Sequence, residues 1–156
     1  MLIRPHVVDD DSWLLALRQA IKAQEIRLWG LPEAEAQSLA AVQTQAWMHS
    51  LEGRPHFIVE IDGLPVGAVV LEQTAPHRAH LVDISVHPDW QGQGLGRHIM
   101  AWVQQQASEI ELEVITHLTG LVSWYQRLGF TVVDDLGPHL HMRWVAQPPK
   151  ALETMR

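Results

Sequence analysis

With 156 residues, 47% of them hydrophobic and 19% charged, the chain suits one folded domain with a buried core and not a disordered segment. A formal net charge of -7 without a basic block argues against nucleic-acid binding through phosphate neutralisation. No apolar stretch approaches the ~20 residues of a membrane span, and the lack of cysteine removes disulfide and thiolate chemistry.

Leu2–Pro5 reads as a short first strand. Asp9, Asp10, Asp11 and Ser12 are N-cap candidates for a helix with Leu14, Leu17 and Ile21 on its apolar face. Trp29-Gly30-Leu31-Pro32 breaks that helix, and Pro32 opens a second one carrying Leu39, Val42 and Ala46 and ending near Leu51-Glu52-Gly53. Strands are predicted at His56–Ile61 and Pro65–Glu72, joined by a hairpin turn at Asp62-Gly63. Ala79–Val86 follows as a buried strand closed by His87-Pro88, then a glycine-rich turn and a helix to about Ser108. Leu95, Ile99, Trp102 and Val103 form the stripe of that helix. Glu111–Ile115 is the next strand, with Leu112 and Val114 on one face and Glu111, Glu113 and Ile115 on the other. A helix from about Thr119 to Leu128 uses Leu121, Tyr125 and Leu128, with Gly129 as its C-terminal stop. Thr131–Val133 and Leu140–Val145 complete the chain as antiparallel strands around a loop at Asp134–Pro138. The expected fold class is therefore α/β, an α+β mixed sheet in the order β-α-α-β-β-β-α-β-α-β-β. One domain covers residues 1–146, and residues 147–156 are expected to be a frayed tail.

The chemistry concentrates in Gln91-Gly92-Gln93-Gly94-Leu95-Gly96-Arg97, a strand-to-helix turn. The start of a helix carries unpaired N–H groups and the positive end of its dipole, and glycine lets a ligand approach the backbone closely, so the turn is a cradle for an anion such as a pyrophosphate. A P-loop would need Gly-Lys-Ser/Thr, and neither lysine nor hydroxyl follows Gly96. A dinucleotide fingerprint would need glycine where Arg97 stands. The pattern that remains is Q/R-x-x-G-x-G/A, met by Gln91, Gly94 and Gly96. It resembles the pyrophosphate-binding signature of the GNAT family of N-acetyltransferases. Val86-His87-Pro88-Asp89-Trp90 resembles the Val-x-Pro-x-aromatic segment that precedes it there. A second block is also similar to that family: Leu112-Glu113-Val114 and then Tyr125-Gln126-Arg127-Leu128-Gly129-Phe130 at the family's spacing.

The resemblance covers roughly residues 1–145 and implies the acyl-CoA N-acyltransferase fold, acetyl-CoA as cosubstrate and direct acetyl transfer to an amine in a ternary complex. It implies cofactor contacts from the backbone of Ile84, Ser85 and Val86 and from Gln91, Gly92, Gln93, Gly94, Leu95, Gly96 and Arg97. Arg97 is alternatively a solvated surface arginine. The resemblance makes Tyr125 the general acid for the leaving thiolate and Glu113 a general base; from the chemistry of removing the amine proton, Asp83 is another carboxylate for that work. A packing role for Tyr125 and structural roles for Glu113 and Asp83 stay open. The family asparagine that contacts the cofactor falls on Leu118, a departure next to His117. The acceptor is a small-molecule or peptide amine that the residues do not name; an acidic surface suits a cationic substrate. A non-catalytic acyl-CoA-binding sensor on the same fold is the alternative, supported by Leu118; a nucleotide-binding protein is a weaker one.

Ten histidines, including His139-x-His141 and His77-x-x-His80, suggest a metal, but no ligand spacing such as H-E-x-x-H occurs, so none is expected. Of the seven tryptophans, Trp47, Trp102, Trp124 and Trp144 read as core or interface mass. Trp13 and Trp29 lie in the segment that lines the acceptor pocket in the family, where an aromatic wall suits a cationic amine, but core packing is the expected role for both. Without cysteine or a signal pattern at Met1–His6, the expected address is the cytoplasm, and a homodimer through the C-terminal strands is a family-level expectation.

Overall fold

Asp62 and Gly63 both take positive φ, 51° and 78°, the pair of left-handed residues that a two-residue hairpin needs to match the twist of its strands. That turn joins β2 (His56–Ile61) to β3 (Leu64–Ala75). The structure, a computed structural model, describes residues 1–147; the expected tail at 147–156 lies outside the described residues from 148 onward. In chain order the remaining elements are β1 (Leu2–Pro5), α1 (Asp11–Arg27), α2 (Glu33–Leu51), β4 (Arg78–Val86), α3 (Leu95–Gln106), β5 (Glu109–Ile115), α4 (Thr119–Arg127), β6 (Thr131–Asp135) and β7 (His139–Val145). Short 3-10 turns cover Val8–Asp10 and Pro88–Trp90. The strands are hydrogen-bonded in the order β1-β2-β3-β4-β5-β7-β6. This is the expected mixed α/β architecture.

Two compact units form, residues Met1–Glu72 with Asp83–Met100, and Gln73–Val82 with the described residues from Ala101. In the first, β1 pairs antiparallel with β2 from Leu2↔Glu60 to Pro5↔Phe57, and β2 pairs antiparallel with β3. Leu14 and Leu17 of α1 bury against Ile58 and Ala68, with Trp13 and Ile21 packed alongside. Full burial of a leucine or isoleucine is worth about 1.5–3 kcal/mol, so this cluster fixes the face that α1 turns to the sheet. The α2 stripe differs from expectation: Val42 is 66% exposed, while Ala40, Thr44, Trp47, Met48 and Leu51 are buried or half-buried. The buried face is rotated by about one residue because α2 is alanine-rich and offers little apolar contrast to set its orientation.

The N-terminus of α1 also departs from simple capping. Asp10 precedes the helix but makes no side-chain cap to it. Its carboxylate accepts both ends of the Arg4 fork at 2.8 Å and the Val7 N–H at 2.8 Å, while Arg4 Nε donates to Glu60 at 3.1 Å. A charge-assisted bidentate pair outweighs a single cap bond.

In the second unit, β5 pairs antiparallel with β7 from Glu109↔Val145 to Ile115↔His139, and β6 pairs with β7. The first residues of β4 run parallel to β5, Arg78↔Glu109 to His80↔Glu111, a pairing that requires a crossover such as α3. Ile110, Leu112 and Val114 are buried, and Glu113 and Ile115 are exposed, the alternation expected of β5. Among the described residues, no helix is long and apolar enough to cross a membrane.

Candidate active site

The end of β4 passes into the 3-10 turn at Pro88–Trp90, where the His87 ring accepts the Asp89 N–H at 3.1 Å. Gln91 turns its side-chain amide back and donates to the Val86 carbonyl at 3.0 Å, and Gln93 donates to the Asp89 carbonyl at 3.4 Å. Gln91 thus ties the turn to the strand it leaves, and Gln93 braces it against the 3-10 turn. Gly92 and Gly94 have φ of 76° and 79°, and nothing lies within 4 Å of where a Cβ would stand on either. Their requirement is thus conformational on the protein side and open on the other. Leu95, Ile99, Met100 and Val103 are buried and anchor α3. Trp102, expected on the same stripe, is half-buried. The N–H groups of Leu95, Gly96 and Arg97, in the first turn, have no acceptor within the helix, and the dipole adds positive potential there. Arg97 is exposed on that turn.

Upstream of the turn, Ser85 is buried and its hydroxyl donates to Asp83 Oδ2 at 2.7 Å. Gly67 of β3 allows this strand end to sit where it does: a Cβ there would meet the Ser85 carbonyl oxygen at 2.6 Å. The His87 N–H reaches the Val66 carbonyl at 2.8 Å beside it. Ile84 and Val86 are half-buried, as is Asp83. Desolvation raises the Asp83 pKa above its ordinary value, against the pull of Ser85, Arg18, Trp47 and Lys22.

Beneath α2, Arg18 is 1% exposed, and its Nε and Nη2 have no hydrogen-bond partner among the described residues. Nη1 reaches the Met48 sulfur at 3.1 Å, and the guanidinium lies 5.5 Å from the centre of the Trp47 ring. Burial lowers the Arg18 pKa, and the charge of Asp83 acts the other way without an ion pair. A desolvated cation–π contact is worth about 2 kcal/mol, and thioether sulfur is a weak acceptor. Withdrawing a cation from water costs several kcal/mol, so these contacts leave it uncompensated. Trp47, expected as packing mass, therefore bears two cations on its ring, Arg18 and, at 5.2 Å, Lys22. Of the two tryptophans expected to pack in the core, Trp13 does so, whereas Trp29 is 57% exposed.

Within the second unit, Tyr125 is buried on α4, its ring 5.1 Å from that of Trp124 and 5.6 Å, edge-on, from that of Phe130. The sequence Leu128-Gly129-Phe130 sets this up. Gly129 takes φ 97°, its N–H bonds the Gln126 carbonyl at 3.0 Å and the Phe130 N–H bonds the Tyr125 carbonyl at 3.1 Å, a Schellman closure that folds Phe130 onto the tyrosine. Gln104 holds the same corner by donating to the Leu128 carbonyl at 3.0 Å. Glu113 is exposed on β5 and faces His141 of β7 in register. Its neighbour Glu111 is the paired carboxylate: burial pushes its pKa up, but Arg143 at 2.9 Å, with His141 and Arg78, brings it below the ordinary value. Leu118 stands at the N-cap of α4, 41% exposed and without a side-chain cap.

Sequence reasoning missed Gly67 and Arg18, although each carried a signal. A lone glycine inside a strand marks a close backbone approach. Arg18 completes the i, i+3, i+4, i+7 stripe of Leu14, Leu17 and Ile21.

Residues 52–132 match the family model for the acetyltransferase (GNAT) domain, and the chain belongs to the GNAT family. It is 37% identical over 59 residues to the uncharacterized N-acetyltransferase ycf52 of Gracilaria tenuistipitata var. liui, a match covering 36% of this chain and 32% of that protein. The corresponding protein of Pyropia yezoensis is 39% identical over 59 residues, 36% of this chain and 34% of its own length. The chain thus spans about a third of the length of the curated relatives it matches. In fold it is similar to the PaiA N-acetyltransferase of Thermoplasma acidophilum in complex with coenzyme A, with TM-score 0.66 and 16% identity over 93% of this chain and 99% of that one. It is also similar to a GNAT family acetyltransferase of Elizabethkingia anophelis with acetyl-CoA bound, with TM-score 0.60 and 16% identity over 92% and 97%.

Proposed function

We propose that this protein transfers the acetyl group of acetyl-CoA to an amine by direct attack in a ternary complex. The observation that carries the reading is the turn at Gly92–Arg97, two left-handed glycines opening a helix whose first N–H groups are unfilled by the helix itself. The coenzyme A and acetyl-CoA held by proteins of similar fold support acetyl-CoA as the cosubstrate. In this reading the backbone of Ile84, Ser85 and Val86 and the turn from Gln91 to Arg97 bind the cosubstrate. The amine nitrogen attacks the thioester carbonyl, the C–N bond forms, the C–S bond breaks and the nitrogen loses a proton.

Asp83 is the better supported base. Its raised pKa moves toward the range useful to a general base, and Ser85 fixes its orientation. Glu113, exposed on its strand, is the second carboxylate for that role. Tyr125, locked between Trp124 and Phe130, is the acid that protonates the departing thiolate. The acceptor class is an amine, small or peptidic. The alternative, an acyl-CoA-binding sensor, draws on Leu118, which gives α4 no side-chain cap and the cofactor no amide.

The experiment is a thiol-release assay with acetyl-CoA over a panel of amines, with the product checked by mass. Thiol release matched by an acetylated amine supports the transferase. Tight acetyl-CoA binding without product from any amine supports the sensor.

A further inference from the structure

A cavity of about 780 Å³ opens in the first unit between α1, the end of α2 and the start of β2. Its wall includes His6, Arg18, Met48, His49, Arg54 and His56. The charged groups around it are mostly settled within the protein. His6 meets Asp11 at 2.6 Å, His49 meets Glu52 at 3.5 Å, and Arg54 meets Glu72 at 3.4 Å. His56 Nδ1 lies 2.6 Å from the Arg54 carbonyl. Arg18 is the exception: it is 1% exposed and leaves Nε and Nη2 without partners among the described residues.

Those two nitrogens are not an arbitrary pair. Nε–H and the adjacent Nη2–H form the side edge of the guanidinium, two parallel donors spaced to meet the two oxygens of one carboxylate. Nη1, the remaining nitrogen, is the one turned to Met48. The fork that recognises a planar anion is thus the part without a protein partner among the described residues, buried at the wall of the cavity.

We propose that this cavity binds a small carboxylate, gripped side-on by Arg18. A single fork suits a monoanion with two coplanar oxygens better than a tetrahedral dianion, which one guanidinium does not balance. The half-buried Asp83, whose charge reaches Arg18, weighs further against a doubly charged ligand. The carboxylate has two possible sources, the acceptor amine's own acid group or a separate carboxylic acid, and both present the same chemistry to Arg18.

The test uses the full chain without acetyl-CoA, so its outcome does not depend on acetyl transfer. Thermal unfolding is followed as sodium acetate replaces sodium chloride at constant ionic strength, with sodium sulfate as the tetrahedral control, in wild type, Arg18→Lys and Arg18→Gln. The expected result is a saturable rise in midpoint with acetate, absent with sulfate, weakened in Arg18→Lys and lost in Arg18→Gln. Should the variants not fold, the Arg18 Nε–H resonance of 15N-labelled wild type gives the same answer: it shifts saturably with acetate. A response to acetate no greater than to chloride, equal stabilisation by sulfate, or undiminished acetate binding in Arg18→Gln would overturn the proposal. In a separate arm with acetyl-CoA, preference for glycine over glycinamide as acceptor assigns the carboxylate to the acceptor. Equal use of both, with acetate still binding, assigns it to a separate acid.

Discussion

Two arginine–aspartate pairs in the first unit respond to burial in opposite ways. At the start of α1, Arg4 fills its donors with Asp10 and Glu60, and Asp10 has its pKa lowered to about 2, chiefly by the hydrogen bonds from Arg4. Beneath α2, Arg18 meets no carboxylate, its pKa falls through desolvation, and the Asp83 pKa rises through its own burial. The first pair has the signature of a structural clamp. The second keeps unsatisfied donors beside a carboxyl whose pKa burial raises, which a protein tolerates where a ligand completes the set. Burial alone does not separate structure from function; completion of the hydrogen bonds does.

The largest effects are expected on the incomplete side. Gly94→Val replaces a residue at φ 79° with a β-branched one and puts methyls on the open face of the turn. Loss of even two charge-assisted N–H contacts corresponds to a fall in acetyl-CoA affinity of roughly 100-fold or more. Calorimetric titration checks this, with circular dichroism confirming an unchanged fold; undiminished affinity would remove the turn from the account. For Tyr125→Phe, turnover is expected to drop about 100-fold, in the range of a lost general acid, with cofactor affinity nearly unchanged. Wild-type turnover in that variant would return the ring to a packing role.

On the complete side the readout is stability. Asp10→Asn breaks a fork that is mostly withdrawn from water. The drop of the Asp10 pKa from 3.8 to about 2 corresponds to a loss on the order of 2 kcal/mol, or roughly 5 °C in midpoint for a chain of this size. The sign with pH follows. Because the folded pKa is depressed, this stabilisation is fully present above about pH 4 and disappears as pH falls through about 2. Asp83 works in the reverse sense: its raised pKa favours the fold at low pH, and that contribution is lost as pH rises through the elevated value. Urea titrations of Asp10→Asn and Asp83→Asn across pH 2–7 separate the two, and a shared direction would break the contrast. The smallest stability effect is expected at Arg18. Replacing a poorly compensated buried cation by Arg18→Met leaves stability within about 1 kcal/mol of wild type or raises it. A loss comparable to that of Asp10→Asn would make Arg18 a second clamp.

Much of this fold was legible because its punctuation is local. Asp62-Gly63, Gly129 and the break at Trp29–Pro32 each set a boundary through the backbone preferences of one or two residues. The alternation on β5 and the stripe of α3 are similarly short-range. The glycine turn was legible because its spacing excludes other anion-binding loops. What escaped depends on neighbours distant in sequence. The orientation of α2 was misjudged because alanines give no contrast, so packing against α1 decides it. Asp10 does not cap α1 because Arg4 and Glu60, brought together by β1 and β2, claim that region first. Gly67 matters only because the Ser85 carbonyl lies against it, which no periodicity in β3 reveals. Arg18 lies inside the apolar stripe of α1, and only the fold shows that its buried fork has no partner among the described residues.

The measurement that tests the central claim most directly is calorimetric titration of the purified protein with acetyl-CoA, with ATP and NAD as controls and Gly94→Val in parallel. The account predicts saturable binding of acetyl-CoA by wild type, no binding of either control, and loss of the signal in the variant. No heat with acetyl-CoA from folded wild-type protein, or binding of ATP or NAD in its place, would contradict it.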